Sequence, residues 1–131
     1  MWLVDTSVWI ATFRRGGPAI DSIVPFDEIV TVLPVVQEVL QGFSDRRAFE
    51  TARDAMLALP MVESPVGGEV FVEAAELYRT ARRAGITVRS SIDCLIAACA
   101  IRNQLSVAHI DRDFDALARV STLEAMNVRT S

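Results

Sequence analysis

Residues 90–115 read SSIDCLIAACAIRNQLSVAHIDRDFD. From Cys94 to Ile101 the residues are apolar on nearly every side. A helix over 90–104 therefore has almost no solvent face and belongs inside the molecule. SVAHI, residues 106–110, is short and apolar, as a buried strand is, and it runs into Asp111. From Asp113 the sequence DFDALARV returns to helical spacing. A buried helix feeding a buried strand that ends on an acid is a unit of an α/β fold around a parallel sheet.

Working outward, the same grammar repeats. MWLVD, residues 1–5, is an apolar run closed by an acid and predicts the first strand. TSVWIATFRR follows with Val8, Trp9, Ala11, Thr12 and Phe13 in rough helical spacing, stopped by Gly16, Gly17 and Pro18. EIVTVL, residues 28–33, predicts a second strand rich in β-branched residues. Pro34 suits the first turn of a helix over 34–43, with Val35, Val36, Val39, Leu40 and Phe43 on its apolar face. Phe49, Ala52, Met56 and Leu59 form the stripe of a helix over 45–59 that Pro60 ends, and MVE at 61–63 predicts a short strand. Val70, Ala74, Leu77, Tyr78 and Ala81 mark a longer helix closed by Gly85. STLEAM, 121–126, predicts a last strand. The expected architecture is a three-layer α/β/α sandwich with a mostly parallel central sheet, formed by one domain over residues 1–131. In such sheets, sites gather at the carboxyl ends of the strands.

Composition narrows the chemistry. All 13 basic residues are Arg, so mechanisms that need a lysine, such as Schiff bases and Walker phosphate loops, are excluded. His109 is the single histidine, which removes histidine pairs. Cys94 and Cys99 lie five apart on a helix, point to different faces, and read as packing residues rather than a disulfide or zinc pair. Chemistry here must lean on carboxylates. The net charge of −4 argues against nucleic acid at first sight, but four acids gathered around metal would leave the remainder neutral. No apolar run reaches the roughly 18 residues that span a bilayer. The first residues lack a basic n-region, so the expected compartment is the cytoplasm and no membrane partner is expected.

Each candidate acid also has a plain structural reading. Asp5, with Thr6 and Ser7 beside it, is either a helix N-cap or a metal ligand, and one carboxylate can be both. Glu38 sits at the flank of its helix's apolar stripe, where a solvated edge residue is the ordinary case. Asp93 stands three residues after Ser90, as in a capping box, yet it enters a buried helix, where a carboxylate needs a donor or a cation. Asp113 and Asp115 fit a helix's first turn, where acids complement the dipole. D-R-D-F-D is not a calcium loop, because Ala116 stands at the glycine position and Thr122 at the glutamate position. If the sheet is parallel, Asp5, Asp93 and Asp111 converge at one edge. Crowded carboxylates repel, so without cations some stay protonated. Mg²⁺ suits such oxygen ligands, and two ions about 3.5–4 Å apart can activate water and steady the leaving oxygen in phosphodiester cleavage.

The ordered pieces LVDTSVWI, LPVVQEVLQG, VRSSIDCLIAACAI and HIDRDFDALA resemble the PIN domain, specifically the VapC-type toxins of bacterial toxin–antitoxin pairs. They span essentially the whole chain. The resemblance implies a Mg²⁺-dependent endoribonuclease, with Mn²⁺ as a substitute. Its acids would be Asp5, Glu38, Asp93 and Asp111, with Asp113 nearby and Ser7 orienting water or a ligand. It further implies an RNA substrate such as tRNA or rRNA, a cognate antitoxin and a homodimer. His109 departs from the pattern, since the family often has Thr or Ser there, and it reads as a core or site-lining residue rather than a metal ligand. Arg79, Arg82, Arg83 and Arg89 are the densest basic group, and Arg89, just before the buried helix, is the candidate for holding RNA. The surplus apolar bulk of Val8, Trp9, Ile10, Ala11 and Phe13 either fills the core or forms a groove for a partner helix. A receiver or haloacid-dehalogenase-like phosphotransfer domain fits less well, because both use a lysine. A non-catalytic PIN-like module that binds RNA or protein is the remaining alternative.

Overall fold

The computed structural model describes residues 1–129. In chain order the elements are β1 (Trp2–Val4), α1 (Thr6–Phe13), β2 (Ile29–Val30), α2 (Leu33–Gln41), α3 (Arg46–Leu57), α4 (Gly68–Arg83), α5 (Ser91–Arg102), β3 (Ser106–His109), α6 (Arg112–Ala118) and β4 (Glu124–Asn127). Short 3-10 turns at Ile20–Ser22 and Phe26–Glu28 lead into β2. The four strands pair in the order β2-β1-β3-β4, all parallel, as the alternating pattern of strands and helices predicts.

This order decides where a site can form. From β1 the chain crosses to β2 on one side, and β3 then pairs on the other side of β1. The crevice beyond the carboxyl ends of β1 and β3 is thus the topological switch point, where open α/β sheets bind ligands. Val4 pairs with Ala108, and the Asp5 amide donates to the Ala108 carbonyl at 2.9 Å, so both strands deliver their following acids to that crevice.

Helix α5 is the central element. Every residue from Asp93 to Ala100 is buried, and the helix packs on α2, α4, α6 and β3. Its alanines let neighbours approach closely, while Leu95 and Ile96 each contribute about 1.5–3 kcal/mol through burial. The same core includes Leu3 and Val4 from β1, Val35 and Val39 from α2, and Phe114 and Leu117 from α6. Cys94 and Cys99 are buried and unbridged. Burial pushes both thiols up to about 11, which keeps them inert packing residues.

Three expectations need correction. Residues 61–63 form no strand: Met61 makes a single parallel bridge to Thr31, and Glu63 turns into left-handed backbone at φ 50°, which ends any extended run. The last strand begins at Glu124 rather than at Ser121, whose hydroxyl instead donates to the Leu117 carbonyl and accepts the Leu123 amide. Tyr78 belongs to the predicted apolar stripe of α4 but is 38 % exposed.

Candidate metal centre

Asp5 follows β1 and caps α1. Its Oδ2 accepts from the Ser7 amide at 3.0 Å and from the Ser7 hydroxyl at 2.6 Å. The Ser7 Oγ in turn accepts the Ile110 amide at 3.1 Å, so one hydroxyl ties the end of β1 to the end of β3. Asp5 Oδ1 is buried and has no partner. The cap reading of Asp5 is met by Oδ2 alone, which leaves Oδ1 open.

Asp111 follows β3 and caps α6, with Oδ1 accepting the Asp113 amide at 2.9 Å. Asp113 Oδ2 accepts the Arg89 amide at 3.0 Å, across 24 residues of sequence. Asp93 opens α5, but the capping box does not form, since the Ser90 side chain makes no capping hydrogen bond. Asp93 is 5 % exposed, and its Oδ2 is buried without a partner. Ligand oxygens of Asp93, Asp111 and Asp113 all lie within 4.8 Å of one another, the one such acidic group among the described residues.

The electrostatics follow from that crowding. Burial, then the charges of Asp5 and Asp111, then a hydrogen bond with Asp113 push the Asp93 carboxyl up to about 9. The N-terminus of α5 favours a charge there by at most about 2 kcal/mol. Desolvation and repulsion outweigh it, because every tenfold gain in proton affinity corresponds to about 1.4 kcal/mol. Asp5 is also raised, by burial first, against the opposing Ser7 hydrogen bonds and with the repulsion of Asp111 added. Half-buried Glu38 projects from α2, and its Oε1 accepts the Thr6 hydroxyl at 2.9 Å. Burial raises its carboxyl too, the Thr6 bond opposes this, and repulsion by Asp5 and Asp111 adds to it.

Two of the four expected acids thus gather with a third that was expected only nearby. Asp93 and Asp111 form the tight group with Asp113, while Asp5 and Glu38 stand at its border, close enough for their charges to act on it. Thr6, which carries no role of its own in the sequence reading, positions Glu38 through its hydroxyl. Arg89 meets the centre through its backbone, and its side chain is exposed. Trp9 is buried at 5 % exposure, so it fills the core, whereas Ile10 and Phe13 are each 40 % exposed.

The donors fit a divalent cation. All are carboxylate oxygens, as a hard cation requires. Two buried oxygens, on Asp5 and Asp93, lack any partner, and among the described residues no cation figures among the influences on the Asp93 carboxyl. Such a bound ion supplies Lewis-acid polarisation and neutralises charge that develops on phosphate oxygens.

The PIN domain model matches residues 2–120. Ribonuclease VapC11 of Mycobacterium tuberculosis is 39% identical over 135 residues, covering 98% of this chain and 100% of that protein. Among solved structures, VapBC-5, a member of the VapBC family of toxin–antitoxin systems from Mycobacterium tuberculosis, superposes with a TM-score of 0.72 at 24% identity, covering 96% of this chain and 97% of that one. VapBC2 from Rickettsia felis, bound to a promoter DNA fragment, gives a TM-score of 0.76 at 16% identity over 96% and 97% of the two chains. Among the described residues no helix is long and apolar enough to cross a membrane. By family model and by full-length identity to a ribonuclease of this kind, the chain belongs to the PIN-domain family, in its VapC group.

Proposed function

We propose that the protein is a metal-dependent endoribonuclease, the toxin of a toxin–antitoxin pair, working in the cytoplasm as one domain over residues 1–131. The observation that carries this reading is the group of Asp93, Asp111 and Asp113 with unpartnered buried oxygens on Asp93 and neighbouring Asp5. Asp5, Asp93, Asp111 and Glu38 hold Mg²⁺, or Mn²⁺ in its place, with Asp113 completing the set. Ser7 and Thr6 hold Asp5 and Glu38 in place through their hydroxyls. Ser7 keeps Asp5 beside Asp111 by joining the two strand ends. The exposed Arg89 side chain, one backbone bond from the centre, holds an RNA phosphate, tRNA or rRNA being the expected source.

The test is cleavage of structured RNA by purified protein with Mg²⁺, with Mn²⁺ and with chelator. Cleavage only with metal is expected; RNA binding without cleavage under any metal would leave a non-catalytic binding module. In the same preparation, Arg89→Ala should flatten the salt dependence of RNA binding by about one phosphate contact.

The partners have candidate surfaces. Ile10 and Phe13 of α1, with Val39 of α2 and Phe43 just after it, line a groove of about 200 Å³ whose Phe13 and Phe43 rings meet edge-on at 5.5 Å. An amphipathic antitoxin helix suits it. On α4, Phe71, Val72 and Tyr78 are exposed, and Phe71 and Tyr78 border a groove of about 450 Å³ toward Ile92 and Leu95. That face suits a second copy of the chain. Sedimentation with and without antitoxin separates them: Phe13→Glu should abolish antitoxin binding alone, and Phe71→Glu self-association alone. A monomer at every concentration would remove the homodimer.

A further inference from the structure

We infer that His109 is a positioning residue for the acidic centre and that it acts through one ring nitrogen. The inference rests on the metal-binding reading above and deepens it. His109 ends β3, is fully buried, and touches three residues at the start of α6. Its Nδ1 accepts the Asp111 amide at 3.1 Å. Its ring lies against Phe114 with centroids 5.3 Å apart. Its Nε2 lies 3.1 Å from Asp115 Oδ1, without the alignment of a hydrogen bond.

The Asp111 bond dictates the tautomer. An amide can donate to Nδ1 only if that nitrogen carries a lone pair, so the proton of the neutral ring sits on Nε2, the side facing Asp115. Nδ1 is thereby taken, and His109 serves the centre from behind rather than as a ligand. What it holds is the first member of a chain of backbone bonds. The Asp111 amide is fixed by His109, the Asp113 amide by Asp111 Oδ1, and the Arg89 amide by Asp113 Oδ2. Two of the three gathered acids hang on that chain, so moving the Asp111 backbone moves both. Side chains that orient metal ligands in this way commonly change metal affinity about 10- to 100-fold when removed.

Asn and Gln separate this role from filling space. Asn places an acceptor where Nδ1 stands, whereas Gln reaches to the Nε2 position and matches the ring's length. Calorimetric titration with Mn²⁺ alone should therefore find His109→Asn within about threefold of wild type and His109→Gln weaker by about tenfold or more. A packing role gives the reverse order, and either that order or equal affinities overturns the inference while leaving the metal reading in place. Wild-type protein that does not bind Mn²⁺ overturns both. If the Gln variant fails to fold, hydrogen exchange of the wild-type Asp111 amide decides: strong protection is expected, and exchange at the rate of an open amide overturns the inference.

Discussion

Both ends of helix α5 collect acids, and they treat them oppositely. At the C-terminal end Arg102 meets Glu63 at 3.0 Å, Glu73 at 2.9 Å and Glu69 at 3.6 Å. Asn103 adds a second donor to Glu63 at 3.1 Å. The hydrogen bond from Arg102 is the largest influence on Glu63 and lowers its carboxyl. At the N-terminal end Asp93, Asp111 and Asp113 gather without a cation of their own, and Asp93 is pushed up to about 9. In one cluster every acid meets the Arg102 guanidinium, and Glu63 fastens the turn after Met61 to the helix. The other is open, with two buried oxygens of Asp5 and Asp93 unpartnered. Acid count does not distinguish a site from a staple; the missing counter-charge and the burial do.

The largest effect should come from Asp93→Asn. It keeps the size of the side chain and removes its charge, and cleavage should fall by more than about a hundredfold, the upper range for residues outside the metal's own ligands. Stability should move the other way when metal is absent. A carboxyl whose folded pKa lies above its unfolded value holds its proton more tightly in the folded state. The stability gained from that proton is complete below about pH 4, the unfolded value, and is lost as pH rises toward the folded value near 9. The slope reaches at most about 1.4 kcal/mol per pH unit. In chelator at pH 8 the Asn variant should therefore melt higher than wild type, with the two converging near pH 4. Saturating Mn²⁺ should reverse the order at pH 8. A variant that melts lower in chelator at pH 8 would mean that Asp93 acts as a structural acid, and the contrast between the two ends of α5 would fail.

A smaller effect belongs to Ser7→Ala. The change deletes the 2.6 Å bond to Asp5 and orphans the Ile110 amide, while Asp5 keeps the Ser7 backbone donor. Cleavage should drop about tenfold, and stability should fall by about 1 kcal/mol for one lost hydrogen bond. Ser7→Thr, which keeps the hydroxyl, should restore most of the activity. Equal losses in both variants would place the effect in packing rather than in the bridge between strand ends.

Local patterns made the frame legible. The apolar run from Cys94 to Ile101 announces a buried helix because no residue in it tolerates a solvent face. Acids directly after Val4 and Ile110 announce strand ends at one sheet edge once the strands are parallel. What escaped are relations across the chain. Glu38 looks like a solvated flank until the Thr6 hydroxyl, 32 residues away, is seen to meet it. Asp113 looks like a first-turn acid until the Arg89 amide and Asp93 meet it. The Ser90–Asp93 spacing matched a capping box, yet the neighbouring acids, not the Ser90 cap, set the surroundings of Asp93. Residues 61–63 carry strand-like composition, but the left-handed Glu63 is fastened by Arg102 and Asn103, about 40 residues distant.

Arg102→Ala should have the smallest effect and tests the contrast most directly. It converts the glutamate cluster into a second group of acids without a cation. If lack of counter-charge were sufficient for metal binding, the variant would gain a second tight Mn²⁺ site. It should not, because Glu69 and Glu73 keep 63% and 44% of their side-chain surface exposed, and water then screens their charges. Their carboxylates remain hydrated and free to separate, whereas Asp93 is held in the core by the helix that carries it. RNA cleavage should be unchanged, and the melting temperature should drop by a few degrees at most, with the difference shrinking in high salt as exposed ion pairs are screened. A second Mn²⁺ site in calorimetry would show that counter-charge alone separates the two ends of α5. One site, with activity retained, would assign the difference to burial.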